Sequence, residues 1–237
     1  SSPHRCDLVM FGLFNPSIER RRAKAAASAR GALAAYYRTP VQPDSTPASE
    51  LRLLALDIET TGLDPRKDTV LSIGYVPVDG STIVFAGSHH RILAADAEVG
   101  QSAIFHGITD DQLTGGMPVE DAIAEELEAL AGRVLLAHFA MIETRFLSRI
   151  CEKLYGAPLV VPVVDTLVLH DRLINRGFDD EARAGELRLW NARSRYGLPR
   201  YPAHDALTDA LACAELYLAH LAEVSQDYPQ SLKSLKS

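Results

Sequence analysis

The sequence predicts an α/β protein in which a mixed central sheet is flanked by helices and preceded by an N-terminal helical extension. Short β-prone runs over residues 51–58, 70–76 and 82–86 are separated by Gly and Pro, a pattern typical of neighbouring strands in a meander. Further along the chain, apolar runs alternate with amphipathic segments. This alternation is expected where helices cover a partly parallel sheet.

The N-terminal extension contains a predicted helix. Asn15 and Pro16 are typical of an N-cap followed by proline at the first helical position, and the alanine-rich stretch to about Tyr37 has strong helix propensity. Its basic residues are Arg20, Arg21, Arg22 and Lys24. We expect these side chains to form a solvated face, and contact with nucleic acid or a partner is the alternative.

Composition and spacing predict three parts of the chain. The prolines between Thr39 and Pro47 indicate a linker, so residues 1–48 form the extension and linker. Residues 49–226 form the main domain, and residues 227–237 form a C-terminal tail. Within the main domain, helices are predicted over 119–131, 140–155 and 206–224, and strands over 133–137 and 160–165.

Size and composition narrow the class of protein. The 237 residues are 47% hydrophobic and 23% charged, which suits a globular domain with one substantial core. No apolar run approaches the ~20 residues that span a bilayer, and no leader pattern is visible, so we expect a cytoplasmic protein without membrane contact. Cys6, Cys151 and Cys213 lack paired spacing, which argues for reduced packing thiols and against zinc.

The charge is negative and unevenly spread. The formal net charge is -7, which argues against a protein that holds nucleic acid mainly through a broad basic surface. Residues 1–50 carry seven Lys or Arg against four Asp or Glu, whereas residues 51–237 carry 17 against 27. Metal ions that bridge carboxylates to phosphates would reconcile an acidic domain with a polyanionic substrate.

Two carboxylates interrupt the apolar run that starts at Leu53. Asp57 and Glu59 are one residue apart in a predicted strand, so both side chains point to the same face. Burying an unpaired carboxylate is costly, and a hard divalent cation such as Mg²⁺ or Mn²⁺ is a suitable partner. Gly62, after Thr60 and Thr61, supplies the turn that ends the strand.

Two later segments carry further acidic or basic groups. Glu143 lies among apolar residues at the start of a predicted helix that follows an apolar strand. His204 precedes the last long helix, and Asp209 is expected in the second turn of that helix. Asp165 also follows a predicted strand, and its favoured interpretation is the cap of the next helix.

Together these residues resemble the DnaQ-like 3'–5' exonucleases of the DEDDh type, which include the proofreading epsilon subunit of DNA polymerase III and ribonuclease T. The resemblance spans roughly residues 51–223. It rests on Asp57-Ile58-Glu59-Thr60-Thr61-Gly62 and on His204-Asp205-Ala206-Leu207-Thr208-Asp209. In the second family motif, Phe139 replaces the usual Asn and Glu143 the usual Asp. The resemblance implies a ribonuclease H-like fold.

The resemblance also implies a mechanism and a set of site residues. Two divalent ions, Mg²⁺ or Mn²⁺, would hydrolyse the terminal phosphodiester, and His204 would act as the general base. The implied metal ligands are Asp57, Glu59, Asp209 and Glu143, and these residues together with His204 form the implied catalytic set. The implied substrate-binding residues are Thr60, Thr61, Gly62, His106 and Phe146. For His106, an ordinary loop histidine is an equal alternative.

The leading interpretation is a 3'–5' exonuclease acting on single-stranded DNA or frayed ends, which implies single-stranded nucleic acid with a free 3' end as the binding partner. A replication or repair protein is a further possible partner. An exoribonuclease of the same fold is the first alternative, since no residue discriminates the sugar. The second alternative is a catalytically weak nucleic-acid-binding module, because Phe139 and Glu143 depart from the family pattern.

Overall fold

A computed structural model describes residues 17–95, 108–174, 185–202, 204–226 and 228–236. Within these ranges six strands form one sheet: β1 (Arg52–Thr60), β2 (Val70–Asp79), β3 (Thr82–Ile83), β4 (His89–Ile92), β5 (Val134–Ala137) and β6 (Val163–Asp165). The strand order is β3-β2-β1-β5-β6, and β4 also pairs with β2. Strand β1 is antiparallel to β2 and parallel to β5, which is parallel to β6. The predicted mixed sheet is therefore confirmed.

Helices cover both faces of this sheet. In the described ranges they are α1 (Ile18–Ala26), α2 (Gly31–Arg38), α3 (Asp110–Thr114), α4 (Val119–Leu130), α5 (Met141–Tyr155), α6 (Thr166–Ile174), α7 (Leu189–Arg195), α8 (Ala206–Val224) and α9 (Leu232–Leu235). None of these helices has the length and apolar character needed to cross a membrane. The free thiols of Cys151 and Cys213 are buried, and Cys6 lies outside the described residues.

Side chains along β1 alternate between the two faces of the sheet, and each face packs against a different set of helices. Leu54, Leu56 and Ile58 pack on one face, in a core shared with α1, α2, α4 and α5. Leu53 and Ala55 pack on the opposite face, in a core shared with α6, α8 and α9. Because side chains alternate with a period of two, Asp57 and Glu59 continue the second face, towards α8.

The predicted N-terminal helix is two helices, so the prediction of one helix to about Tyr37 was wrong. Helix α1 begins after Ser17, whose hydroxyl accepts a hydrogen bond from the Arg20 amide at 3.4 Å. Helix α2 begins at Gly31, whose φ of +54° cannot occur inside a continuous right-handed helix. A Cβ atom at Gly31 would lie 3.3 Å from the Tyr155 ring, so α2 starts at a close approach to α5.

The basic helix α1 is anchored through one of its arginines. Arg20, Arg21 and Lys24 are exposed, as expected for a solvated face. Arg22 is instead 7% exposed, and its guanidinium donates hydrogen bonds to the Val160 and Thr39 carbonyls, each at 2.9 Å. The prediction of a solvated face was therefore wrong for Arg22, because the helix docks on the loop before β6.

Contacts also cross the predicted boundaries at residues 48 and 226. The side-chain amide of Gln42 donates to the Arg52 carbonyl at 2.7 Å, and its oxygen accepts from the Arg52 amide at 2.9 Å. In the C-terminal segment, the Leu232 amide donates to the Thr46 carbonyl at 3.0 Å. Leu232 and Leu235 are buried in the second core. The linker and tail thus brace each other beside the sheet.

The short elements differ most from the sequence prediction. The predicted strand 82–86 ends at Ile83, and residues Phe85–Gly87 form a 3-10 turn before β4. Gly87 passes so close to Pro77 that a Cβ atom there would lie 2.8 Å from the Pro77 ring. Strands β1 and β2 are longer than predicted.

Candidate active site

Strand β1 presents the first two carboxylates at its C-terminal end. Asp57 pairs opposite Gly74 of β2, and Glu59 pairs opposite Ser72. The pairing register shifts between Glu59 and Thr60, so the regular ladder ends just beyond the second carboxylate. Both side chains are half-buried on the face that α8 covers.

Gly74 allows α8 to lie directly on this part of the sheet. A Cβ atom at Gly74 would lie 2.1 Å from the backbone nitrogen of Leu207, closer than any real contact. The missing side chain therefore makes room for the first turn of α8. Asp209 lies in that turn and is therefore brought close to Asp57, the pairing partner of Gly74. The charge of Asp209 contributes to the raised pKa of Asp57.

The start of α8 is held by its own acidic residues. The Asp205 carboxylate caps the helix and accepts hydrogen bonds from the Thr208 amide at 2.9 Å and the Thr208 hydroxyl at 2.7 Å. The amide of His204 donates to Oδ2 of Asp209 at 3.1 Å. His204 is exposed and has a φ of +69°, a conformation that turns the chain sharply just before the helix.

Helix α5 supplies Glu143 from the end of β5. The turn before this helix is fixed by the Asp165 carboxylate, which accepts hydrogen bonds from the amides of Phe139 at 3.0 Å and Ala140 at 2.9 Å. Asp165 also accepts from the Leu167 amide at 2.9 Å, which agrees with its expected capping role. Glu143 is 3% exposed, and its Oε2 atom has no hydrogen-bond partner among the described residues.

Burial raises the pKa of all four carboxylates, and repulsion by a neighbouring acid adds to the effect at each of them. Burial, together with the charges of Glu143, Asp209 and Glu59, raises the pKa of Asp57 well above its ordinary value. Burial, followed by the charges of Asp209 and Asp205, raises the pKa of Glu59 to about 7. Burial also raises the pKa of Glu143 to about 8 and raises that of Asp209. Neighbouring carboxylates of the site thus disfavour the ionisation of Asp57 and Glu59.

This arrangement fits divalent cations. One ligand atom each from Glu59, His204 and Asp209 lies within 4.8 Å of the other two, a spacing that could hold one ion. Oδ1 of Asp209 and Oε2 of Glu143 are buried and lack hydrogen-bond partners in the described chain. Carboxylate oxygens that repel one another and lack donors are suitable ligands for hard cations.

The residues predicted to bind substrate occupy different environments. The Thr60 hydroxyl donates to the Gly62 carbonyl at 2.6 Å, whereas the Thr61 hydroxyl donates to Asp68 at 3.2 Å and so closes the β1–β2 loop. Gly62 packs against the Asp68 carboxylate. Phe146 is buried in the first core. His106 lies outside the described residues.

Sequence reasoning did not assign a role to two neighbours of the site. Asp205 contributes to the raised pKa of Glu59, and its position before an apolar helix is the ordinary N-cap signal. His90, on β4, places its Nδ1 atom 3.6 Å from Oδ2 of Asp205. His90 could not have been found in the sequence, because its contact depends on the pairing of β4 with β2.

The third histidine of this region has a structural position. Nδ1 of His138 lies 2.9 Å from the Thr166 hydroxyl, and Nε2 lies 2.8 Å from the Leu187 carbonyl. Burial lowers the pKa of His138 to about 4, so the ring is neutral at physiological pH. This neutral ring ties the end of β5 to the start of α6 and to the turn before α7.

Three carboxylate-bearing segments and a histidine thus meet at one end of a mixed sheet, and comparisons with known proteins identify the class of protein to which this arrangement belongs. A family model described as an exonuclease matches residues 54–217. The chain belongs to the DnaQ-like 3'–5' exonuclease family. The family generally uses divalent metal ions.

Curated relatives are bacterial polymerase components. The chain is 30% identical over 194 residues to a DNA polymerase III PolC-type protein of Thermotoga maritima, a match that covers 78% of the chain and 13% of that protein. It is 32% identical over 178 residues to DNA polymerase III subunit epsilon of Treponema pallidum, covering 71% and 75% respectively. The chain therefore spans only a small part of the PolC-type relative.

Solved structures share the fold. The cell-death related nuclease CRN-4 matches with a TM-score of 0.63 and 17% identity, over 75% of this chain and 65% of that one. The nuclease domain of 3'hExo, a DEDDh family member bound to rAMP, matches with a TM-score of 0.61 and 14% identity, over 76% and 95%. The predicted ribonuclease H-like architecture is thereby confirmed.

Proposed function

We propose that this protein removes nucleotides from the 3' end of single-stranded DNA through a two-metal-ion mechanism. One observation supports this proposal above all. Three separate parts of the chain bring four carboxylates with raised pKa values to one edge of the sheet, next to His204. The polymerase relatives favour DNA as the substrate.

The carboxylates would hold the cations. Carboxylate oxygens of Glu59 and Asp209 lie within 4.8 Å of each other, and Asp57 and Glu143 lie beside them. Bound divalent cations would neutralise charge at the scissile phosphate and make the attacking water more acidic. The described chain contributes the fixed geometry, since Gly74 seats α8 and Asp165 fixes the turn before α5.

His204 would accept the proton of the attacking water. Its side chain is exposed beside Asp209, on the turn that precedes α8. In this reaction the water oxygen forms a bond to phosphorus, and the bond from phosphorus to the 3' oxygen of the preceding nucleotide breaks. The products are a nucleoside 5'-monophosphate and a strand with a new 3' hydroxyl, whose oxygen takes a proton from solvent.

Glu143 motivates a preference for manganese. Compared with aspartate, its side chain has one additional methylene, which extends the reach of the carboxylate by about 1.5 Å. Mg²⁺ demands near-ideal octahedral geometry, whereas Mn²⁺ is more tolerant. We therefore expect faster turnover with Mn²⁺ than with Mg²⁺ at matched concentrations. Equal or faster turnover with Mg²⁺ would contradict this expectation.

The decisive experiment follows the length of a 5'-labelled strand. Single-stranded DNA and RNA of equal sequence are incubated with Mg²⁺ and then with Mn²⁺. We expect a ladder that shortens from the 3' end, is lost in Asp57→Ala and is kept in Asp111→Ala, which alters an exposed acid on α3. Absence of metal-dependent shortening in both strands would contradict the proposal.

The same experiment separates the two alternative functions. Shortening of RNA but not DNA would indicate an exoribonuclease. The similar 3'hExo domain was solved with bound rAMP, which motivates this alternative. A catalytically weak binding module is the second alternative, motivated by Phe139 and Glu143. Calorimetry with Mn²⁺ in the presence of a nucleotide should then give one bound ion or none per chain, whereas the proposed enzyme should bind two.

A further inference from the structure

We propose that Phe139 stacks on a nucleobase of the bound strand and makes unpaired strands the preferred substrate. This inference rests on the proposed nuclease function and assigns a specificity-determining role to a residue outside the metal-ligand set. It is carried by the exposure of the ring, by the conformation of its backbone and by the charge of the site.

Three of the large exposed apolar side chains of the described chain lie close in sequence to the carboxylates: Leu63, Phe139 and Met141. The described chain also has Phe85 and Tyr228 in this class. Phe139 and Met141, at 42% and 39% exposure, lie in the turn and first residue of α5, just before Glu143. Leu63 follows the strand that carries Asp57 and Glu59. An acidic site with apolar side chains at its margin is suited to a ligand that is anionic along one side and aromatic along the other.

The backbone of Phe139 is held in a conformation that disfavours a phenylalanine. Its φ of +69° is a conformation that side chains larger than those of Gly, Asn and Asp rarely adopt. Phe139 belongs to none of the three hydrophobic core clusters of the described chain, so burial in a core does not offset the strain. An exposed aromatic residue in a disfavoured conformation indicates a role outside folding.

Hydrogen bonds hold the backbone of Phe139 in this conformation. The amide of Phe139 donates to Oδ1 of Asp165 at 3.0 Å, and the next amide donates to Oδ2. The carbonyl of Phe139 accepts from the Ile142 amide at 3.2 Å, in the first turn of α5. A base that stacks on this ring would therefore be held at a fixed distance from Glu143.

Stacking also suits the electrostatics of the domain. Residues 51–237 carry a net negative charge, so phosphate contacts alone give little attraction for a strand. Stacking on an aromatic ring does not depend on net charge and accepts every base, because each base has a π-face. A paired base stacks on its neighbours in the duplex, so an open aromatic ring favours bases that are already unpaired.

The test compares Phe139→Asn with Phe139→Trp. Asparagine is tolerated at positive φ but has no ring, so Phe139→Asn should melt at the same temperature as the parent or higher. We expect its KM for single-stranded DNA to rise about tenfold with kcat within about twofold, since stacking binds ground state and transition state alike. Phe139→Trp should keep the parental KM. Phe85→Asn is the matched control, because Phe85 follows β3 at the opposite end of the sheet.

A series of strands with one abasic position identifies the stacked base. At one position near the 3' end, removing the base should raise the KM of the parent about tenfold and leave that of Phe139→Asn unchanged. Equal KM values for parent and Phe139→Asn on the intact strand would overturn the proposal. The proposal would also be overturned if the KM of Phe139→Asn exceeded that of the parent by the same factor at every abasic position as on the intact strand.

Failure of the nuclease proposal is detected separately. If the parent protein degrades no strand, fluorescence anisotropy with labelled oligo-dT and Ca²⁺ measures binding instead. Weaker binding by Phe139→Asn, with parental binding by Phe139→Trp and Phe85→Asn, would support the stacking role without nuclease activity. Equal binding by all four proteins would overturn it.

Discussion

Glu126 allows a direct test of how burial changes the pKa of an isolated carboxyl group and, through it, the stability of the fold. This residue lies on α4, is 1% exposed, and neither of its carboxylate oxygens has a hydrogen-bond partner in the described part of the chain. Burial alone raises its pKa to about 8. The substitution Glu126→Gln keeps the shape of the side chain and removes its ionisation.

The sign and size of the effect follow from proton binding. In the unfolded chain the carboxyl loses its proton near pH 4.5, whereas in the folded protein it keeps the proton to about pH 8. Between these values the folded state binds more protons, so the free energy of unfolding falls as the pH rises. The slope is ~1.4 kcal/mol per pH unit, which gives a loss of about 3 kcal/mol between pH 5 and pH 7. Above pH 8 the loss stays constant.

Urea denaturation of both proteins at pH 5, 6, 7 and 8, in EDTA, measures this loss. The carboxylates of the active site also titrate in this range, but they are common to both proteins and cancel in the difference. We expect Glu126→Gln to gain stability relative to the parent as the pH rises, up to about pH 8. A difference that stays constant from pH 5 to pH 8 would refute the reasoning.

Three further predictions concern the site. Gly74→Ala should lower nuclease activity at least about a hundredfold and also lower the melting temperature, because the new Cβ would lie 2.1 Å from the Leu207 backbone. The control Gly115→Ala should be neutral, because its Cβ would lie 3.7 Å from the nearest atom. Asp165→Asn should cost about 2 kcal/mol in urea denaturation, since one oxygen cannot accept all three amides; an unchanged midpoint would contradict this. Calorimetry should show Mn²⁺ binding at least about ten times tighter at pH 8 than at pH 6, because Glu59, with its pKa of about 7, must lose its proton to bind; equal affinities would contradict this.

The sequence predicted those features whose signals are local. Asp57 and Glu59 stand out because they interrupt an apolar strand, and the long helix from Ala206 to Val224 has both an N-cap and a continuous apolar face. The convergence of three segments was not visible in any one of them. It was expected only because the order of the motifs resembles a known family.

Other features depend on packing and leave no such signal. The break between α1 and α2 requires a positive φ at Gly31, but a glycine among alanines is also compatible with an unbroken helix. A phenylalanine at position 139 gives no indication of its left-handed backbone, which Asp165 stabilises from 26 residues away. The short strand β4 is recognisable only through its pairing with β2.

Asp165, Glu126 and Asp57 represent three physical situations of acids that are shielded from solvent, and the differences identify the candidate site better than burial does. Asp165 is compensated by three amide donors, so its position is structural. Glu126 is uncompensated but isolated, and a single proton relieves its cost. Asp57 is surrounded by Glu143, Asp209 and Glu59, so protonating one acid still leaves the others crowded. A shared divalent cation would relieve all of them at once, so repulsion among neighbouring acids, rather than a raised pKa alone, supports the proposed metal site.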